Sequence, residues 1–255
     1  LNCQDQIYSE EYIDFIGNRS LIESKYTLDC KQPLGARFAS LYLKLSDGYE
    51  DGTVYGYYNI PKLFGLQDTG SMESSGILQV RENPYLKLDG SGVLIGFVDT
   101  GIDYAGSIFL KQDGTTRVTA IWDQTIPAGS PIRLPAQPEL PETPENITRT
   151  PEGFLYGSEF THEQLNAAVK MADAYEGISS RDENGHGTFL ASIAAGNELP
   201  DGSFTGAAPK ADIAMVKLKP AKNRLRAYYQ IKEDAVACQE NDIMAGVLYL
   251  VSLAK

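Results

Sequence analysis

Two side chains in this 255-residue sequence have the types and settings of a proton-transfer pair, Asp99 and His186. Asp99 follows Val93-Leu94-Ile95-Gly96-Phe97-Val98 and precedes Thr100-Gly101-Ile102-Asp103. The branched and aromatic run reads as a strand buried on both faces, as in a parallel sheet. Asp99 then sits at its carboxyl end, where open α/β sheets place their sites. A carboxylate at the end of a dry strand needs a cationic or hydrogen-bonding partner, because its desolvation is costly. His186, in Gly185-His186-Gly187-Thr188, can supply one. An imidazole acting as general base must be held in one tautomer, and a carboxylate bonded to one ring nitrogen does that. Flanking glycines let the backbone turn tightly around it. A helix start beneath His186 disfavours the imidazolium and keeps the ring unprotonated, a competent base at neutral pH.

The elements that position this pair read as alternating strands and helices. Residues 117–124 and 211–218 are further strands, and residues 189–196 form a small-residue helix ended by Gly196. Two helical stretches, residues 225–238 and 242–254, close the sequence, and Thr161 with Gln164 forms a capping box. Strand–helix alternation over residues 92–255 predicts an α/β fold with a parallel sheet and flanking helices. Seven prolines, at 127, 131, 135, 138, 141, 144 and 151, mark residues 127–151 as an inserted loop, since proline cannot complete a ladder. His162, beside Glu163, reads as a solvated helix residue.

Residues 1–58 read as a small α+β module. It is expected to hold a helix over 9–16, and strands over 37–45 and 53–60 joined through the turn signals Asp47-Gly48 and Asp51-Gly52. A core of this size is marginal alone, so the module leans on its neighbour. Residues 61–88 form a Gly-, Ser- and Asp-rich connector.

Composition narrows the function. The 34 acids against 22 bases give a net charge of −12, which argues against nucleic acid and anionic membrane as partners. No stretch has the roughly 18 apolar residues of a membrane span, and no secretory leader is visible. Cys3, Cys30 and Cys238 are too few and too scattered for a metal pattern, and read as isolated thiols. Asp47, Asp51, Asp201 and Asp212 lie near turns without a calcium-loop pattern, so neither a metal nor a cofactor is expected.

Together, Val98-Asp99-Thr100-Gly101-Ile102-Asp103, Gly185-His186-Gly187-Thr188 with Ala194-Ala195-Gly196, and Gly206-Ala207-Ala208-Pro209 before Val216-Lys217 resemble the subtilisin-like serine proteases (peptidase S8). Their triad runs Asp, His, Ser. A narrower resemblance is to the Csp-type subtilases of clostridia, known for spore germination proteases. It rests on Ile60-Pro61-Lys62-Leu63-Phe64-Gly65-Leu66, Ile121-Trp122-Asp123-Gln124-Thr125, Tyr156-Gly157-Ser158-Glu159-Phe160-Thr161 and Asp242-Ile243-Met244-Ala245-Gly246.

The resemblance implies a prodomain at residues 1–58 acting as an intramolecular partner, and the N-terminal part of a catalytic domain at 59–255. It implies a protein or peptide substrate, and a spore-associated or cytoplasmic setting. Three positions depart from the pattern. Ala105-Gly106 stands where His-Pro is common, and Ser192 where glycine is usual. No Gly-Thr-Ser-Met-Ala-type segment occurs, and Ser252 lies in a helical context unsuited to a nucleophile. The resemblance therefore implies an endopeptidase whose serine lies beyond this stretch, which alone is inactive. The alternative is a pseudoprotease acting as a regulatory binding protein, a class that typically loses triad residues.

Overall fold

The computed structural model describes residues 2–25, 30–44, 57–64, 88–135, 147–201 and 204–254. The chain opens with helix α1 (Cys3–Tyr8), whose cap Asn2 accepts from the Asp5 amide at 2.9 Å. Then come β1 (Tyr12–Asn18), α2 (Arg19–Lys25), β2 (Lys31–Leu34) and β3 (Phe38–Lys44). These strands form an antiparallel sheet in the order β1-β3-β2. The helix expected over 9–16 is therefore replaced by a strand. Tyr12, Ile13, Phe15 and Ile16 pair along the whole length of β3, and this long-range pairing outweighs a local pattern that suited either structure. Tyr57–Asn59 is a single 3-10 turn, not the end of a strand, and β3 takes its partners from earlier in the chain. The turns at Asp47 and Asp51, the rest of that expected strand, most of the connector and residues 136–146 of the proline-rich loop lie outside the described residues.

A two-residue strand β4 (Leu63–Phe64) precedes the main sheet. That sheet contains β5 (Leu94–Asp99), β6 (Val118–Asp123) and β7 (Ser158–Thr161). Helices α3 (His162–Val169), α4 (Ala174–Gly177) and α5 (His186–Ala195) follow, then β8 (Asp212–Lys217). Helix α6 (Asn223–Tyr228), strand β9 (Cys238–Gln239) and helix α7 (Glu240–Leu253) complete the order. The main sheet runs β5-β8-β6-β7, with β5, β8 and β6 parallel and β7 antiparallel at one edge. The α/β class with a parallel sheet and flanking helices is thus the observed one. The helix expected over 225–238 stops at Tyr228. Gln230 then takes a left-handed φ of 54°, and Cys238 enters β9, antiparallel to β4.

Alternation along the parallel strands divides the core. Ile121, Ile213 and Met215 face Phe160, Leu165, Ala191 and Ala195, so α3 and α5 cover one side. Trp122 and Val216 face Ala245 and Tyr249 of α7 together with Ile7, Ile16 and Tyr42 of the N-terminal module. Strand β3 divides the same way. Ala39, Leu41 and Leu43 join Ile13, Phe15, Ile22 and Ile60 in a cluster that Leu225 of α6 completes, while Tyr42 packs against Trp122 and α7.

Charged side chains lie buried along this junction. Asp14 pairs with the Lys222 ammonium and accepts from Gln239 Nε2 at 2.9 Å and Asn241 Nδ2 at 3.2 Å. Beside it Lys219 pairs with Asp242 at 2.7 Å, and the Tyr156 hydroxyl donates to Asp242 at 2.9 Å. Burial pushes the Asp242 carboxyl above its usual range. Burial works against the Lys219 charge, but the attraction of Asp242 and Asp14 outweighs it and holds that ammonium above its usual value. The three thiols are unbridged, and Cys3 and Cys30 are neighbours, with Cys30 Sγ donating to the Cys3 carbonyl at 3.6 Å. Among the described residues no helix is long and apolar enough to cross a membrane.

Candidate active site

Asp99 is the last residue of β5 and His186 the first of α5, and the fold brings their side chains together across 87 residues. His186 Nδ1 lies 2.8 Å from Asp99 Oδ1, with the side chains 17% and 11% exposed. A carboxylate only accepts, so Nδ1–H donates and Nε2 is left as the basic nitrogen. The same Asp99 oxygen accepts from the Thr100 amide at 2.7 Å, which fixes the carboxylate rotamer.

The glycines around His186 serve two different needs. Gly185 caps α5 in the left-handed region at φ 86°, which a side chain resists. At Gly187 the constraint is space, since a Cβ there would lie 2.2 Å from the Gly101 carbonyl oxygen and 3.2 Å from Asp99 Cβ. The helix start and the turn after Asp99 are therefore in backbone contact.

Polar side chains fasten that contact. Asp182 accepts from the Thr100 hydroxyl at 2.8 Å and the Gly185 amide at 2.9 Å through one oxygen. Through the other it accepts from the amide and hydroxyl of Thr188, at 2.8 and 2.7 Å. Burial pushes this carboxyl up, but the hydrogen bonds outweigh it and hold its pKa below the ordinary value. Lys217, opposite Asp99 in the ladder, ties down the preceding loop by donating to the Arg181 carbonyl at 2.5 Å and to Glu183 at 2.6 Å.

Asp182, Thr100, Thr188 and Lys217 were not singled out from sequence as site residues. The available signal was an acid four residues before His186, which resembles an ordinary turn. Ser192 sends its hydroxyl back to the Thr188 carbonyl at 2.7 Å, so it bonds within α5. His162 is not a freely solvated residue. It is half-buried at the start of α3, and its Nε2 donates to the Thr116 carbonyl at 3.0 Å. The expected Thr161–Gln164 capping box is present. Among the described residues no group of three or more His, Cys, Asp or Glu side chains could hold a metal ion.

Comparison with known proteins gives concordant matches. The subtilase family (peptidase S8) matches residues 90–244, which include Asp99, Asp182 and His186. Subtilisin-like protease SBT3.8 of Arabidopsis thaliana is 28% identical over 174 residues, covering 62% of this chain and 19% of the relative. Subtilisin-like protease SBT2.2 from the same plant is 31% identical over 146 residues, covering 54% and 16%. The chain thus spans about a fifth of the length of the curated relatives it matches. Among solved structures, the Clostridium perfringens CspB protease is similar with 26% identity and a TM-score of 0.48, covering 71% of this chain and 29% of that one.

Proposed function

The chain belongs to the subtilase family, and from that premise we propose that it carries the general base and the orienting acid of a serine endopeptidase. The observation that carries this reading is the 2.8 Å contact from His186 Nδ1 to Asp99 at the carboxyl end of a parallel strand. In the proposed mechanism a serine hydroxyl from sequence beyond Lys255 attacks the peptide carbonyl carbon. His186 Nε2 accepts the hydroxyl proton as the new C–O bond forms, then delivers it to the departing amine nitrogen. Asp99 keeps its charge, holds Nδ1–H and stabilises the imidazolium formed between the two transfers. A water molecule repeats the sequence to release the acid product. The substrate is a protein or peptide.

The N-terminal module fits the role of a prodomain. Its sheet packs on α7, and the segment after it runs onto the body, where β4 pairs antiparallel with β9. One backbone bond and one to a side chain secure the register there: Glu240 N donates to the Lys62 carbonyl at 2.7 Å, and Lys62 N donates to the Glu240 carboxylate at 3.0 Å. Residues 59–60 touch both parts, since Asn59 Nδ2 donates to the Ile16 carbonyl at 2.9 Å and Ile60 packs in a cluster that holds apolar residues of the module and Leu225 of α6. The processing point is proposed near Tyr58–Asn59, between the module's sheet and β4, and mass spectrometry of the whole gene product tests it.

The test is labelling of the whole gene product with a fluorophosphonate, beside its His186→Ala variant and the 255-residue chain. Labelling of the wild-type whole protein alone supports the reading. A folded, processed whole protein that does not label refutes it, and points to the pseudoprotease.

A further inference from the structure

We propose that Asp182 is the positioning residue of this site, its carboxylate clamping the turn after Asp99 to the first turn of the helix that begins with His186. The inference rests on the proposed roles of Asp99 and His186 and extends them to a residue that touches neither reacting atoms nor substrate.

The argument is one of polarity and place. An ionised carboxylate offers about four acceptor sites and no donor, and Asp182 receives four hydrogen bonds. Two of these come from hydroxyls that act as relays. The Thr100 hydroxyl donates to Asp182 and accepts from the Gly187 amide at 2.9 Å. The Thr188 hydroxyl donates to Asp182 and accepts from the Asp103 amide at 3.0 Å. Each threonine thereby joins the two segments in its own right, and both point their protons at residue 182. Only a group that accepts everywhere satisfies that pattern. An isosteric amide would turn an NH2 towards two donors and break the relay on one side.

The segments joined are the immediate neighbours of the reacting pair. Thr100 follows Asp99, and Gly185, Gly187 and Thr188 surround His186. The clamp itself is anchored to the strand beside Asp99, because Lys217 of β8 holds Arg181 and Glu183 on either side of it. A capping residue would need only the helix amides. The additional bond to Thr100, 82 residues away in sequence, is what turns a cap into a clamp on the pair. Misplacement of a reacting group by about 1 Å can cost about a hundredfold in rate.

The experiment uses the whole gene product and Asp182→Asn, read by fluorophosphonate labelling rate and by kcat, KM and pH profile on a peptide substrate. The expected result is labelling at least about tenfold slower, kcat reduced with KM unchanged, and an acid limb moved to lower pH. The direction follows because loss of a neighbouring negative charge disfavours the imidazolium. A wild-type rate with an unmoved limb overturns the proposal. So does a loss of rate that follows only the folded fraction.

If Asp182→Asn does not fold, Thr100→Val removes one relay with the carboxylate intact. It should lower kcat several-fold at constant KM, with Thr100→Ser restoring it to within about twofold. A wild-type kcat in Thr100→Val overturns the clamp. Failure of the underlying reading looks different. His186→Ala then labels like wild type, and both ideas fall. Should the wild-type protein not label at all, the clamp is read from the His186 Nδ1–H proton resonance, assigned by its absence in His186→Ala. Shift or broadening in Asp182→Asn supports it, and an unchanged resonance overturns it.

Discussion

Replacing Gly187 by alanine separates steric from conformational demands at this site. The added Cβ would lie 2.2 Å from the Gly101 carbonyl oxygen, whereas ordinary contact starts at 3.4 Å, so 3.4 − 2.2 = 1.2 Å of separation must be found. Both partners are backbone, and no side chain can swing aside. Alanine would gain up to about 1 kcal/mol of helix propensity over glycine. Overpacking of this kind costs about 1–3 kcal/mol, so with the full helix gain deducted the net expectation is a loss of about 0–2 kcal/mol in urea unfolding. The functional loss should exceed this. The required movement parts α5 from the turn after Asp99, and a displacement of about 1 Å is worth about a hundredfold in rate. The Nδ1–H resonance of His186 should shift or vanish.

Gly185→Ala is the control. It has open space for a Cβ and a φ of 86°, so it should cost about 1–2 kcal/mol in backbone strain while the His186–Asp99 bond survives. An Asp99–His186 resonance unchanged in Gly187→Ala, or lost only in Gly185→Ala, would refute the reasoning.

The buried junction and the clamp yield two further expectations. Lys222→Met strands the Asp14 carboxylate in a dry interface with only the Gln239 and Asn241 amides, and should cost about 3–5 kcal/mol in urea unfolding. Adding Asp14→Leu should recover much of that loss, and a double variant no more stable than Lys222→Met would show that the charge was not the cause. Asp182 has a folded pKa below its ordinary value of 3.8, so the folded state binds this proton less readily than the unfolded chain. Its contribution is complete above the unfolded pKa and is lost as pH falls through the folded one. Acid titration of stability should therefore be flatter for Asp182→Asn than for wild type below about pH 4, and parallel curves would contradict this.

The site pair was legible because its signals are local. An apolar run ending in Asp99, and a histidine between two glycines, need no knowledge of the fold to be noticed. The parallel sheet was legible for a similar reason, since β5, β6 and β8 each carry an apolar run and a helix stands before β8. Asp182 was hidden because its decisive partner, Thr100, is brought to it only by folding. The strand Tyr12–Asn18 was misread because its sheet is buried on both faces. That burial erases the polar–apolar alternation that would have marked a strand, and leaves Ile13, Phe15 and Ile16 equally suited to a helix. The early end of α6 had no glycine or proline to announce it, because Gln230 supplies the left-handed residue.

The buried charges at the junction were the least legible feature, and they bear on how the N-terminal module is held. Charged residues in sequence read as solvent-facing, since most are. Here Asp14, Lys219, Lys222 and Asp242 are each 4% exposed or less, and Asp14 meets Lys222 only when the module is seated. Apolar residues of similar size could hold the module as tightly, because burying an ion pair returns little net stability. They would also tolerate neighbouring positions of the sheet on α7. Asp14 does not, because its partners come from three places at once: Lys222 before α6, Gln239 in β9 and Asn241 at the start of α7. A slip of one residue in β1 turns Asp14 to the opposite face and leaves the Lys222 ammonium buried without its carboxylate. The register that satisfies Asp14 also carries Asn59 to the Ile16 carbonyl and sets the chain on course for β9. The apolar faces supply the adhesion, and the ion pair selects the one seating from which the segment through Phe64 reaches β9.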